Sequence, residues 1–109
     1  MLDEQQFKTY CDSTLEALNR SLGRAGDELG FEADMNNGAL TVEFEDPPAR
    51  FVISPQTPVR QIWVSAHSRS FKLEWNETAG TFVLPATGQD LPALMAEQIS
   101  KQLGEEVKL

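Results

Sequence analysis

Residues Gln56 to Ala66 read QTPVRQIWVSA, and the alternation within this stretch decides the fold. From Val59 onward, Ile62 and Val64 fall on one side of an extended chain and Gln61, Trp63 and Ser65 on the other, because successive strand side chains point to opposite faces. The first side has the composition of a core face. The second sets a tryptophan among polar neighbours, where burial alone does not account for it.

Period two persists in both directions from here. Phe31, Ala33 and Met35 share a parity, as do Leu40, Val42 and Phe44, and Asn36-Asn37-Gly38 has the turn chemistry to join them as a hairpin. After the turn EDPPAR (45–50) come FVIS (51–54), VRQIWVSA (59–66), SFKLEW (70–75) and, beyond NETAG, TFVL (81–84). Connections this short cannot make crossovers, so the six strands are expected to be antiparallel.

A different period flanks them. Phe7, Tyr10, Cys11, Thr14, Leu15, Leu18 and Leu22 repeat at three and four residues, which predicts an amphipathic helix from about Asp3 to Leu22, ended by Gly23 and Gly26. A second helix is expected from about Asp90 to Leu103, with Leu91, Leu94, Met95, Ile99 and Leu103 inward, Asp90 as N-cap, Pro92 tolerated in the first turn and Gly104 at the end. The expected fold class is α+β: a two-layer α-β sandwich with two helices covering one face of a six-stranded antiparallel sheet, the other face solvated. With 109 residues and 40% apolar content, the chain suits one domain with one core.

Charge is distributed unevenly. Residues 1–46 hold eleven acids and three bases, so the whole net charge of −8 lies there, while the remaining six acids and six bases cancel. Residues 47–73 hold Arg50, Arg60, Arg69 and Lys72 and no acid. An acidic first half and a mildly basic middle argue against nucleic acid as a partner, because a duplex requires a concentrated basic face. No window suits a membrane span. The amino-terminal MLDEQQFKTY has neither the basic start and apolar run of a signal nor the arginines of a transit peptide. The expected address is the cytoplasm of a bacterium, or the mitochondrial matrix if a transit segment has been removed.

Parity assigns the open face Glu32, Asp34, Thr41, Glu43, Glu45, Arg50, Val52, Gln61, Trp63, Ser65, Lys72 and Glu74. Acids crowd one edge of it. Trp63 stands further across, with the composition of a protein-docking site, since an indole offers much contact area at little entropic cost. The alternative reading is that Trp63 packs on the stem of Lys72 or Arg50. Conventional catalytic constellations are missing. The one histidine, His67, falls in the loop-like AHSRS and reads as a solvated turn residue, and the one cysteine, Cys11, lies on a buried stripe and reads as core. Clustered carboxylates are the metal-capable feature, and their oxygens suit hard cations.

NNGALTVEFE (36–45), FVISPQTPVRQIWVSA (51–66) and FKLEW (71–75) resemble the sheet signature of the frataxin family, with helices flanking it in the family's places. The resemblance covers nearly the whole chain, and QTPVRQIWVS is its most specific part. It implies an α-β sandwich that binds iron (Fe2+ or Fe3+) on acidic residues of the first helix and first strand. It also implies docking on the cysteine desulfurase and scaffold complex that assemble iron-sulfur clusters, by a monomer that can form iron-dependent oligomers. The family's exposed sheet residues match Gln61 and Trp63, and Lys72 stands where many members have arginine. Bacterial members carry a nearly continuous acidic run through the end of the first helix, which NRSLGRAGDELG (19–30) interrupts. The carboxylates left to hold metal are Asp12, Glu16, Asp27, Glu28, Glu32, Asp34, Glu43 and Glu45, so a site is expected to be weak or displaced toward residues 27–34. Two other classes fit the same residues: an iron store or ferroxidase acting as an oligomer, against which the lack of a Glu-x-x-His motif counts, and an interaction domain with no metal role.

Overall fold

The computed structural model describes residues 2–45 and 47–109. Along the chain run α1 (Glu4–Leu29), β1 (Glu32–Asn36), β2 (Ala39–Glu45), β3 (Pro48–Gln56), a short 3-10 turn (Thr57–Val59), β4 (Gln61–Ala66), β5 (Arg69–Asn76), β6 (Thr81–Val83) and α2 (Leu91–Leu103). Strand order in the sheet follows chain order, and every neighbouring pair is antiparallel. Both helices bury their apolar stripes on one sheet face: Phe7, Leu15 and Leu22 from α1, and Leu91, Leu94 and Ile99 from α2, meet Leu40, Ile53, Ile62 and Leu73. The α-β sandwich expected from the alternation is therefore the fold. Among the described residues, no helix is long and apolar enough to cross a membrane.

The first helix is longer than expected, reaching Leu29 rather than Leu22. Each internal glycine costs a helix about 1 kcal/mol relative to alanine, which the continuing stripe of Leu22, Ala25, Gly26 and Leu29 outweighs. Gly26 is buried where the helix meets Phe31, and Gly30, at φ 86°, supplies the left-handed cap instead. At the other end Asp3 and Gln6 form a reciprocal capping box. Tyr10, expected on the buried stripe, is 38% exposed and stacks on Trp75 with ring centroids 4.5 Å apart.

Strand limits differ as well. β3 takes in both flanks of FVIS, from Pro48 to Gln56, and of the expected turn 45–50 Asp46 lies outside the described residues. Pro48 pairs only with β2 and Pro55 only with β4, so each proline sits where β3 has a partner on one side and a missing N–H is tolerated. β4 begins at Gln61 rather than Val59, because Thr57–Val59, with Pro58 in its first turn, form the 3-10 turn and Arg60 closes it at φ 55°. The Arg60 side chain donates to Leu2 O and Thr57 O, tying the amino terminus to this corner. β6 stops at Val83, leaving Leu84 in the loop that follows.

Cys11 is 1% exposed on the buried stripe, and desolvation, with the Asp12 carboxylate adding to it, pushes its thiol from 9.0 up to about 12. A shift of that size leaves about a thousandfold less thiolate at a given pH, so the folded protein should label with a thiol reagent at pH 8 only as fast as it opens. The neutral thiol is the form the fold favours, so its contribution to stability is complete below pH 9 and declines as pH rises toward 12. Urea melts of the wild type against Cys11→Ala between pH 8 and 11 should show this decline in the wild type alone.

Candidate functional site on the open sheet face

Strand register arranges the open face in rows. Glu32, Glu43 and Arg50 form one row; Asp34, Thr41, Val52, Ser65 and Ser70 the next; then Ser54, Trp63 and Lys72; then Gln56, Gln61 and Glu74. Glu32 and Glu43 are directly opposite each other, an arrangement of like charges that costs stability. Arg50, 3.9 Å from Glu43, offsets part of that repulsion.

Two clefts open where the end of α1 passes the β1–β2 edge. The first is lined by Asp27, Glu32, Asp34, Thr41 and Glu43, with Gly23 at its rim. The second shares Asp27, Glu32 and Glu43 and adds Glu45 and Gly30. The extra turns of α1 carry Asp27 to this position: five of the eight candidate carboxylates, Asp27, Glu32, Asp34, Glu43 and Glu45, line one or both of these clefts. The other three do not. Glu28, one residue on and so about 100° around the helix, lines a separate groove with Arg24, Glu105, Glu106 and Lys108. Asp12 and Glu16 lie on the exposed surface of α1, with Glu16 eleven positions, about 16 Å of helix, from Asp27. Among the described residues no group of three or more His, Cys, Asp or Glu side chains is placed to hold a metal ion. What the edge offers is an open set of carboxylate oxygens, which fits a hard cation held loosely and does not fit a caged one.

Trp63 lies two strand spacings from β2, about 10 Å across the sheet. It is 37% exposed, and its Nε1–H donates to Gln61 Oε1 at 2.8 Å while Gln61 Nε2 donates to Glu74 Oε2 at 3.0 Å. Lys72 Nζ stands 5.1 Å from the indole centroid. The indole therefore packs against Lys72 and yet remains a fixed, partly exposed platform, its polar atom already satisfied. Glu74, at the end of this relay, was not among the residues the sequence marked as binding. The signal was available in the spacing, since Gln61 and Trp63 at i and i+2 share a face and Glu74 faces Gln61 across the hairpin.

His67 is the exposed turn residue expected of it, and it also makes contacts the sequence did not indicate. It sits at φ 51° with Nε2 3.1 Å from Gln98 O and its ring 5.1 Å from that of Phe51. It ties the β4–β5 turn to α2.

Two helices packed on one face of a six-stranded antiparallel meander form a frataxin-like architecture. A solved structure of frataxin from Psychromonas ingrahamii superposes with a TM-score of 0.80 at 22% identity, covering 98% of this chain and 97% of that one. The frataxin-like domain model matches residues 1–105, and the chain belongs to that family. Its similar relatives include the iron-sulfur cluster assembly protein CyaY of Pseudomonas paraeruginosa, 33% identical over 86% of this chain and 88% of the relative. Those of Ralstonia nicotianae and Azotobacter vinelandii are 31% and 29% identical, over 99% and 98% of this chain and 95% and 94% of theirs.

Proposed function

We propose that this chain is a non-catalytic regulator of iron-sulfur cluster assembly in the bacterial cytoplasm. In this reading it docks by its open sheet face on a cysteine desulfurase and its scaffold complex, and holds iron as cargo at surface carboxylates. One observation carries the reading: the open face bears Glu32 and Glu43, at whose edge Asp27 of α1 completes the acidic clefts, and also the Trp63 platform held by Gln61 and Lys72. Similarity to iron-sulfur cluster assembly proteins CyaY supports the process.

The residues suggest how iron would be handled. Exposed carboxylates with no preformed cage bind a divalent cation weakly and select poorly, which suits an ion that is to be passed on. The same acids would attract a basic partner surface, and their position across the sheet from Trp63 would let charge guide the encounter while the indole supplies the contact that lasts. A metal-independent interaction domain is the second reading, favoured by the absence of a ready metal group among the described residues.

Ferrous iron titrated into isotope-labelled protein should shift the amide signals of Asp27, Glu32, Asp34 and Glu43, with magnesium competing, and leave those around His67 in place. Binding to the host's cysteine desulfurase should fall steeply between low and physiological salt, mainly through slower association, and Glu32→Lys with Asp34→Lys should reproduce the loss in a folded protein. Desulfurase binding with no iron-dependent shifts would select the second reading. Shifts centred on His67, or binding indifferent to salt, would overturn the assignment of this face.

A further inference from the structure

β6 is short, pairing with β5 only at Glu74, Trp75 and Asn76, whereas β4 pairs with β5 from Arg69 to Glu74. Residues 69–73 of β5 therefore run along a margin of the sheet. The loop that follows β6 turns back on itself instead of extending the pairing: Leu84 N–H donates to Gln89 O at 2.8 Å and Gly88 N–H to Leu84 O at 2.8 Å. Between this loop and the margin of β5 lies a groove of about 620 Å³.

Turn geometry identifies the backbone groups that face the groove. His67 and Ser68 both take positive φ, 51° and 61°, the pattern of a two-residue type I′ hairpin closed by Ala66 and Arg69. That closing pair exchanges both hydrogen bonds and the pairs alternate, so Ser65–Ser70 and Trp63–Lys72 are the pairs without them. Ser70 and Lys72 accordingly direct N–H and C=O away from β4 and into the groove. Two donors and two acceptors at i and i+2 are the repeat that an added strand requires.

Charge selects the added strand. The acids lining the groove already have partners: Glu97 accepts from Gln89 and Gln98 and lies 3.8 Å from Lys101, and Glu74 accepts from Gln61. The cations do not. Arg69 lies over the Phe71 ring and Lys72 over Trp63, and among the described residues neither is within ion-pair distance of a carboxylate. A lysine on an open edge also discourages pairing with a second copy of the same strand.

We propose that the outer edge of β5 at Ser70 and Lys72 is a strand-addition site for an extended, acidic peptide segment of a partner protein. This holds whatever the partner's identity, and the experiment uses no desulfurase and no iron, so it stands apart from the function proposed above. The probe is a capped synthetic hexapeptide alternating glutamate and valine. At saturation it should slow hydrogen exchange of the Ser70 and Lys72 amides by about tenfold or more, and its lysine-valine counterpart should bind at least about tenfold more weakly. Ser70→Pro removes an outward N–H that β4 does not use, so it should abolish binding with little change in the melting temperature. If that variant fails to fold, Lys72→Glu, which leaves the backbone intact, should reverse the preference to the lysine peptide. No protection of the two amides, equal binding of both peptides, or concentration-dependent protection without peptide would overturn the proposal, the last by giving the edge to a second copy.

Discussion

Ile62→Ala should destabilise the fold by about 2 to 5 kcal/mol, whereas Trp63→Ala, one residue along the same strand, should cost about 1 kcal/mol or less. Ile62 is fully buried beneath the helices, and truncating it leaves a cavity that the packed layers cannot close. Trp63 gives up one hydrogen bond to Gln61 and its stacking under Lys72, both at the surface. Partner binding should show the opposite order: Trp63→Ala is expected to weaken association with a cysteine desulfurase complex by about 2 kcal/mol or more, the size of an aromatic hot spot. Urea melts and a direct binding assay on the two variants measure both quantities. Equal losses of stability would place the indole in the core. Full retention of binding by Trp63→Ala would remove this face from the interface.

The second large effect lies in α1. Gly26→Ala should destabilise by about 1 to 3 kcal/mol, although alanine is the better helix former by about 1 kcal/mol. A Cβ there would be driven into the Phe31 backbone carbonyl, which belongs to the connection into β1 and cannot swing aside as a flexible side chain would. Gly23 supplies the contrast. It is exposed, a Cβ built on it meets nothing within 4 Å, and Gly23→Ala should stabilise by about 1 kcal/mol. Opposite signs at two glycines three residues apart would establish that close packing against Phe31 sets the seat of the last turn. Since Asp27 follows Gly26 directly, ferrous iron shifts at Glu32 and Glu43 should also weaken in Gly26→Ala.

The sheet was legible from the sequence because one face is buried and the other is not, so alternation fixes parity from Phe31 to Trp75. Parity alone placed Gln61, Trp63 and Lys72 together. The acidic set was legible only in part, and the reason is the helix end. With Gly23 and Gly26 read as terminators, residues 27–30 became connection, where Asp27 and Glu28 could face β1 together. On a helix adjacent residues diverge, which sends Glu28 toward the carboxyl-terminal segment and keeps Asp27 over the clefts. Local propensity could not reveal this, because the stabilisation that carries the helix through both glycines comes from tertiary packing. The placement of His67 was hidden for a related reason: its partner, Gln98 O, lies 31 residues away.

The strand order of the open face also sets charges of opposite sign at its two sides. The negative side is the β1–β2 margin with Glu32, Asp34, Glu43 and Glu45, and the positive side is β5 with Arg69 and Lys72, four strand spacings or about 19 Å from β1. In the field of a charged partner such a face experiences a torque before any surfaces touch, which biases collisions toward one orientation of the acidic margin relative to the Trp63 strand.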